Sequence, residues 1–209
     1  MTLAYAGERM GGMIVVIAGT NRAGSNTRKI ADQAVADHRS LGGEVELLDL
    51  AAMPRACFSP DAYGEKPAAF TKEFVEPVLA SDGIVVVTPE YNGSFPGALK
   101  LFIDLLPFPD AFDGRPVSFI GLSAGAGGAV RPVEQLQMVF AYRNAYLFNR
   151  RVFLPRVSSL LNGEGKVADE DLSRRLFAQA EGFEAFVSGL NVAGLRPGNK
   201  SAAATTKEA

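Results

Sequence analysis

Reactive side chains are scarce in this sequence, which has one cysteine, Cys57, and one histidine, His38. A single thiol cannot form an internal disulfide, so we expect a reducing, cytoplasmic location. No residues with the spacing of a metal-ligand cluster are present. We expect Cys57 to be an ordinary loop residue, with contact to a substrate as the alternative. His38 falls late in a predicted helix, and we expect a structural role for it, at the surface or half-buried.

Excess charge of one sign and long apolar runs are also missing. The formal net charge is −2 at pH 7, without the basic excess that neutralises the phosphates of a nucleic acid. The longest apolar runs, residues 13–19 and 83–89, are far shorter than the ~20 residues that cross a bilayer. Residues 1–12 lack the apolar core of a signal peptide. We therefore expect no nucleic-acid partner, no membrane attachment and no export.

Apolar residues are nevertheless plentiful, at 47% of the 209 residues. A chain of this length and content is expected to form one core that needs no disulfide. We assign the domain to residues 13–190 and an N-terminal extension to residues 1–12. Residues 194–209 are assigned to a flexible tail because they are small, polar and without apolar periodicity.

Apolar runs and helical stripes alternate along the domain. Strands are predicted at residues 13–18, 44–50, 83–88, 116–122 and 152–154. Helices are predicted from residue 26 or 27 onwards and at residues 67–80, 96–106, 131–149 and 169–190, with an irregular loop at residues 53–67. Because parallel neighbours cannot be joined by hairpins, this alternation predicts a doubly wound parallel sheet. Ligands of such sheets bind at the carboxyl ends of the strands.

The loop after the first strand, residues 19–28, carries donors that suit a phosphate. They are the side chains of Thr20, Arg22, Ser25 and Thr27 and the free N–H groups of a helix that begins near Asn26. No Gly-Lys-Ser/Thr sequence closes the loop, and its glycines do not match the dinucleotide-binding fingerprint. We therefore predict an anion site rather than an ordinary polar loop, and no site for ATP hydrolysis.

The loop after the third strand is rigid, because two prolines and two glycines lie within residues 89–97. Its candidate site residues are Pro89, Glu90, Tyr91, Asn92, Gly93 and Ser94. Backbone amides exposed in such a turn can hydrogen-bond the edge of a planar heterocycle, and we expect Tyr91 to lie along its face. We expect Glu90 to be an ion-pair or structural partner rather than a general base.

The loop after the fourth strand, residues 123–129, has almost no side chains. Its candidate site residues are Ser123, Ala124, Gly125, Gly127 and Gly128. Small residues let a flat ligand approach the main chain closely. A glycine-rich loop by itself is most often a connection, but opposite the other two loops it is predicted to be a wall of a pocket.

These three loops resemble those of the NADPH-dependent FMN reductase family, the flavodoxin-like quinone, azo and chromate reductases. The resemblance covers roughly residues 13–190. The family's first loop reads approximately Gly-Ser-x-Arg-x-x-Ser, and it is matched by Gly19, Thr20, Arg22 and Ser25. The motif Thr-Pro-Glu-Tyr-Asn-x-Ser-x-Pro-Gly-x-Leu-Lys is matched from Thr88 to Lys100, and a Ser followed by a Gly-Gly stretch is matched by Ser123, Gly125, Gly127 and Gly128. After Lys100 the chain departs from the family's usual Asn-Ala-Ile-Asp-Trp.

The resemblance implies a five-stranded parallel sheet in the order 2-1-3-4-5 between two layers of helices, a three-layer sandwich. It implies FMN as the cofactor, with the ribityl phosphate in the first loop and the ring at the other two. A hydride would pass from NADPH or NADH to the flavin, and electrons would then pass to a quinone, a free flavin or another small acceptor. Because the cofactor performs this chemistry, no side chain is predicted to be catalytic.

Two functions of other classes remain open. One is a non-enzymatic electron carrier that docks to partner proteins, although such carriers are usually strongly acidic and this chain is not. The other is a flavin-binding redox sensor, which NADPH oxidation would distinguish from an enzyme. Arg150, Arg151 and Arg156 form a local basic group that we interpret as a solvated face, with contact to an NADPH phosphate as the alternative.

The predicted helix 96–106 is apolar on two sides. Leu99, Ile103 and Leu106 form one stripe, and Ala98, Leu101 and Leu105 form another. If one core cannot bury both stripes, the second must meet another subunit. We therefore expect a homodimer or a pair of dimers, with this helix and the aromatic-rich residues 140–148 as candidates for the interface.

Overall fold

The computed structural model describes residues 12–195 and residue 197. Most of the N-terminal extension expected at residues 1–12 and most of the tail expected at residues 194–209 lie outside the described residues. The strands are β1 Met13–Ala18, β2 Glu44–Asp49, β3 Gly83–Pro89, β4 Pro116–Leu122, β5 Tyr146–Leu147 and β6 Val152–Leu154. The helices are α1 Asn26–Ser40, α2 at residues 68–80, α3 Gly97–Leu105, α4 Val130–Tyr142 and α5 Glu170–Val192.

All pairs in the sheet are parallel, and the order β2-β1-β3-β4-β5 confirms the predicted order. The fifth position is divided between two short strands. β5 pairs with Pro116 and Val117 at the start of β4, whereas β6 pairs with residues 120–122 at its end. β2 is an edge strand, and four of its six residues are exposed or half-buried.

The predicted helix 131–149 is too long, because α4 ends at Tyr142 and residues 146–147 form β5. Asn144, just after the helix, has a φ of 59°. Asparagine tolerates this left-handed conformation, which terminates a helix. The N–H of Tyr146 then donates to the carbonyl of Arg115 (3.0 Å), so the chain enters the sheet directly.

α2 begins with a regular turn, Ala68–Phe70, widens into a π-helical turn, Thr71–Val75, and finishes regularly as Glu76–Ala80. Pro77 lacks an N–H and its ring crowds the preceding turn, which is a reason for the wider turn before it. The irregular loop expected before this helix contains two 3₁₀ turns, Arg55–Phe58 and Pro60–Tyr63. Among the described helices, none combines the length and the apolarity needed to span a bilayer.

Both faces of the sheet are buried, which explains the continuous apolar runs of its strands. On one face, Ile14 and Val16 pack with α1 and α5. On the other face, Val15 packs with α2, α3 and α4. Successive side chains of a strand point to opposite faces, so a strand covered by helices on both sides has no wet positions.

The inference that one core cannot bury both stripes of α3 is wrong. Every residue of the two stripes except Leu101 is buried within this single chain. Leu105 of the second stripe and Leu99 of the first belong to one core cluster, which also contains Leu50, Met53 and Phe112. α3 therefore gives no support to a subunit interface.

A buried polar cluster joins α1 to α5. His38 Nδ1 and Glu184 Oε1 lie 2.7 Å apart, and the side chains of Asp37, Ser118 and Gln179 line a small cavity beside His38. The single histidine is thus fully buried, not at the surface or half-buried, and its role is structural.

Cys57 is also fully buried, which contradicts contact with a substrate. Burial raises the pKa of its thiol.

Partial burial of Asp37 makes the stability of the fold depend on pH. Desolvation raises the pKa of Asp37 from 3.8 to about 6, and the neighbouring His38 acts weakly in the opposite direction. The folded state therefore binds this proton more tightly than the unfolded chain does. The ionised carboxylate destabilises the fold above pH 6, and this cost disappears as the pH falls toward 4.

We predict that Asp37→Asn raises the melting temperature at pH 7.5 and that the gain shrinks at pH 4.5. Thermal unfolding at the two pH values measures both effects. Glu181→Gln removes an exposed acid of α5 and serves as the control, with little effect at either pH. A gain of the same size at both pH values would contradict the assignment to Asp37 ionisation.

Candidate functional site

Three loops meet at the edge of the sheet where the strands end. We call them loop 1 (residues 19–25, after β1), loop 2 (residues 90–96, after β3) and loop 3 (residues 123–129, after β4). The register pairs Pro89 with Leu122, so β3 and β4 end level, and it pairs Ala18 with Val87, so β1 ends two residues earlier at the same edge. The predicted convergence of the three loops is confirmed.

Loop 1 and the first residues of α1 present unpaired backbone N–H groups. Within the part of the chain that the structure describes, the amides of residues 21, 23, 24, 26 and 27 donate to no protein atom. Ser25 caps α1, since its Oγ accepts the N–H of Arg28 (3.2 Å). Free amides next to a helix N-terminus form a cradle for an anion.

The side chains of loop 1 differ in whether they are free to contact a ligand. Thr20 and Thr27 are buried, whereas Arg22 is exposed. The Asn26 side chain donates to Ser158 Oγ (3.1 Å), so this residue offers the loop its backbone N–H. The Arg22 guanidinium has no ion pair or hydrogen bond with any described residue, and it is the cation available to an anion in this loop.

A hydrogen bond between side chains links loop 1 to loop 2. Thr20 Oγ1 and the Tyr91 hydroxyl lie 3.0 Å apart. The Tyr91 ring therefore extends from loop 2 toward the anion cradle. Its expected position along the face of a bound heterocycle stays a prediction.

Loop 2 is a tight two-residue turn. Tyr91 and Ser94 exchange two backbone hydrogen bonds, of 2.8 and 3.0 Å. Asn92 and Gly93 both have positive φ, 52° and 76°, which is the geometry that an Asn-Gly pair favours in a type I′ turn. The amides of these two residues donate to no described atom, so they face outward, as expected for contacts to the edge of a ligand.

Two polar contacts fasten loop 2 to α4, the helix that follows loop 3. Arg131 Nη1 donates to Glu90 Oε1 (3.3 Å), and Ser94 Oγ donates to Gln135 Oε1 (2.6 Å). The expectation that Glu90 is an ion-pair partner is confirmed. Sequence reasoning missed Arg131 and Gln135, because no local pattern indicates which residues of a distant helix will face the loop.

Loop 3 is closed by its own serine. Ser123 Oγ accepts the N–H of Gly128 (2.9 Å) and donates to the carbonyl of Gly125 (2.9 Å). Gly128 has a φ of 61°, and a Cβ there would lie 3.1 Å from Phe153 Cβ, so a side chain at this position would be strained. Residues 124–127 are exposed, and their amides donate to no described atom.

These features fit the chemistry of a flavin mononucleotide. Its phosphate is anionic and accepts hydrogen bonds, and loop 1 offers it free amides and the Arg22 guanidinium. The polar edge of its ring accepts and donates hydrogen bonds, and loops 2 and 3 offer free amides with few side chains in front of them. A Cβ at Gly93 or Gly125 would have no protein atom within 4 Å, so the space beside both loops is open.

The sheet order and the position of these loops define a flavodoxin-like α/β protein. The chain belongs to the NADPH-dependent FMN reductase family, whose model matches residues 13–158. The resemblance seen in the three loops is thereby confirmed.

Individual relatives are similar over most of their length. A 2-hydroxy-1,4-benzoquinone reductase of Burkholderia is 28% identical over 178 residues, covering 83% of this chain and 95% of the relative. An NAD(P)H-dependent FMN reductase of Pseudomonas aeruginosa is 29% identical over 171 residues, covering 79% and 89%. The solved structure of FerB, an NAD(P)H:(acceptor) oxidoreductase of Paracoccus denitrificans, superposes with a TM-score of 0.72 at 22% identity, covering 85% of this chain and 98% of that one.

Arg22 gives a direct test of the anion cradle. We predict that Arg22→Ala weakens FMN binding by roughly 10- to 150-fold, since a charge-assisted hydrogen bond is worth about 1.5–3 kcal/mol. Calorimetric titration of the apoprotein with FMN measures the change. Arg175→Ala removes another exposed arginine without a described partner, on α5, and should leave the affinity unchanged. Equal affinities in the two variants would show that Arg22 does not contact the phosphate.

Proposed function

We propose that this protein is an FMN-dependent oxidoreductase that accepts a hydride from NADPH or NADH. Electrons then pass to a quinone, a free flavin or another small acceptor. The observation that carries this proposal is the meeting of three sets of free backbone amides at one edge of the sheet, beside the unpaired Arg22. Relatives described as a quinone reductase and an FMN reductase support the same chemistry.

The proposed contacts divide between the two ends of the cofactor. The phosphate would be held by Thr20, Arg22, Ser25, Asn26 and Thr27. The ring would be held by Pro89, Glu90, Tyr91, Asn92, Gly93 and Ser94 on one side and by Ser123, Ala124, Gly125, Gly127 and Gly128 on the other. Most of these contacts come from the main chain, because the Glu90 carboxylate is already paired with Arg131 and the Ser123 hydroxyl is already bonded within loop 3.

Bound flavin supplies a hydride acceptor at N5, so the chain itself needs to bind and orient the two reactants. Backbone N–H groups at the ring edge are fixed dipoles, which stabilise negative charge there without giving up a proton. The only titratable side chains of loops 2 and 3 are Glu90 and Tyr91, and both have partners. No residue of the chain is assigned the role of general acid or base.

Gly125 allows the activity and the pocket to be tested together. A side chain there meets no protein atom within 4 Å, and the backbone is not in the left-handed region. We therefore predict that Gly125→Leu keeps the melting temperature of the apoprotein within about 2 °C. The new side chain occupies the space proposed for the ring, so FMN binding and NADPH oxidation should both fall by at least roughly 10-fold.

Titration with FMN and steady-state NADPH oxidation with a quinone acceptor measure the two effects. Gly163→Leu is the matched control, because a Cβ at Gly163 also has no protein atom within 4 Å. A wild-type protein that binds FMN but oxidises neither NADPH nor NADH would refute the enzyme in favour of a carrier or sensor.

We also propose a cytoplasmic dimer or pair of dimers. The single thiol, Cys57, is buried and has no thiol partner in the sequence, which supports a reducing compartment. An apolar patch of Met138 and Tyr142, exposed by 74% and 82%, supports self-association, and Phe108 is a further large apolar side chain exposed by 71%. Met138 and Tyr142 are neighbours on α4, and the Arg143 guanidinium carbon lies 5.0 Å from the centre of the Phe108 ring.

Two charges on the apolar patch should abolish self-association. We predict that wild-type protein at micromolar concentration has the mass of a dimer or tetramer, and that Met138→Glu combined with Tyr142→Glu lowers it. Light scattering after gel filtration measures the mass. Phe177→Glu, on the opposite layer of helices, is the control and should not change it. A monomeric wild type would contradict the proposal.

A further inference from the structure

The segment after β6, residues 155–159, lies between loop 1 and loop 3. The N–H of Arg156 donates to the carbonyl of Gly125 (2.9 Å), and the N–H of Val157 donates to that of Ser123 (3.0 Å). Ser158 Oγ accepts a hydrogen bond from Asn26 at the start of α1 (3.1 Å). We call residues 155–159 the rim segment, because they border the site beside two of its three loops.

Arg156 has a fixed and costly backbone conformation. Its φ and ψ are 48° and 44°, in the left-handed region that is unfavourable for a residue with a side chain. The conformation is held by the hydrogen bond to Gly125 and by Ser159, whose N–H and Oγ both donate to the Arg156 carbonyl, at 2.9 and 2.8 Å. The backbone from which the Arg156 side chain projects is therefore fixed against loop 3.

The guanidinium of Arg156 is exposed and makes no hydrogen bond or ion pair with the residues that the structure describes. The other two arginines of the basic group are engaged elsewhere. Arg150 donates to the carbonyl of Ala178 (3.0 Å), and Arg151 donates to Gln137 (3.0 Å). Of this group, Arg156 alone is available to a ligand.

Two anions have to be held near these loops if the proposed function is correct. The cradle of loop 1, with Arg22, accounts for the phosphate of FMN. The second reactant, a nicotinamide dinucleotide, carries a pyrophosphate and, in NADPH, a further phosphate on the ribose. The carboxylate adjacent to loop 3, Glu90, pairs with Arg131 and is neutralised by it. Arg156 therefore remains an uncompensated positive charge at the rim.

We propose that Arg156 binds a phosphate group of the nicotinamide dinucleotide that reduces the flavin. This proposal rests on the proposed function, since it assigns the second reactant of the same site. A guanidinium presents several N–H donors in a plane that matches the oxygens of a phosphate. Arg156 is thus a determinant of donor affinity and does not take part in hydride transfer.

The test compares FMN-loaded wild type with Arg156→Ala, Arg156→Lys and the control Arg175→Ala. Rapid mixing with NADPH or NADH gives the rate of flavin bleaching against donor concentration. Arg156→Ala should raise the half-saturating NADPH concentration by about 10-fold, the loss of one exposed charge-assisted contact. The limiting rate and the affinity for FMN should change little, and Arg156→Lys should restore part of the donor affinity.

The two donors identify the phosphate that is bound. A loss confined to NADPH assigns Arg156 to the ribose phosphate, and a loss shared with NADH assigns it to the pyrophosphate; both results support the proposal. Unchanged half-saturation with both donors overturns it. A fall in FMN affinity like that expected for Arg22→Ala also overturns it, because Arg156 would then serve the cofactor.

Equilibrium binding of NADP⁺ separates this proposal from the proposed function. NADP⁺ cannot reduce the flavin, so calorimetric titration of the FMN-loaded protein reports affinity without turnover. If no donor bleaches the flavin but Arg156→Ala weakens NADP⁺ binding, the proposed activity fails and the assignment of Arg156 stands. If wild-type protein does not bind NADP⁺ and is reduced by neither donor, both fail.

Discussion

Burial of both faces of the parallel sheet is the constraint on which the rest of this structure depends. A parallel strand cannot return to its neighbour through a hairpin, so each connection crosses over and covers a face with a helix. α1 and α5 cover one face and α2, α3 and α4 cover the other. All strands consequently end at the same edge, and loops 1, 2 and 3 meet there because of the way the sheet is buried.

The chemistry of the site depends on where the backbone hydrogen bonds between strands end. Pairing between strands ends with the N–H groups of Gly19, Glu90 and Ser123, which donate to Val87, Leu122 and Leu154, and the later amides of the three loops have no strand to join. Small residues keep these amides accessible, and the few polar side chains, such as Thr20 and Ser123, bond within the loops. A surface of fixed N–H groups is electropositive at any pH, which suits a phosphate and the polar edge of a flavin. Exposed arginines add full charges at its border.

Several titratable side chains are buried or half-buried within the fold. His38 and Glu184 join α1 to α5, Cys57 is in the core, and the ionisation of Asp37 acts on stability. The residue types that most often transfer protons or attack substrates therefore have structural roles in this chain. This division agrees with a family in which a cofactor supplies the reactive atom and the protein supplies orientation and a fixed field.

Local sequence predicted every strand except β5 and placed the three loops, whereas the order of the sheet was implied by the resemblance to a family. β1, β4 and β6 were predicted to the residue because continuous apolar runs end abruptly at glycine, proline or polar residues. The Asn-Gly pair of loop 2 likewise specifies its own turn, since both residues accept positive φ. Only the tertiary structure decided the end of α4, the burial of nearly all of both α3 stripes, and the contacts of Glu90 with Arg131 and of Arg156 with Gly125. Each of these depends on residues far apart in the chain, and their meeting is set by how helices and loops pack on the finished sheet, for which no short sequence pattern carries a signal.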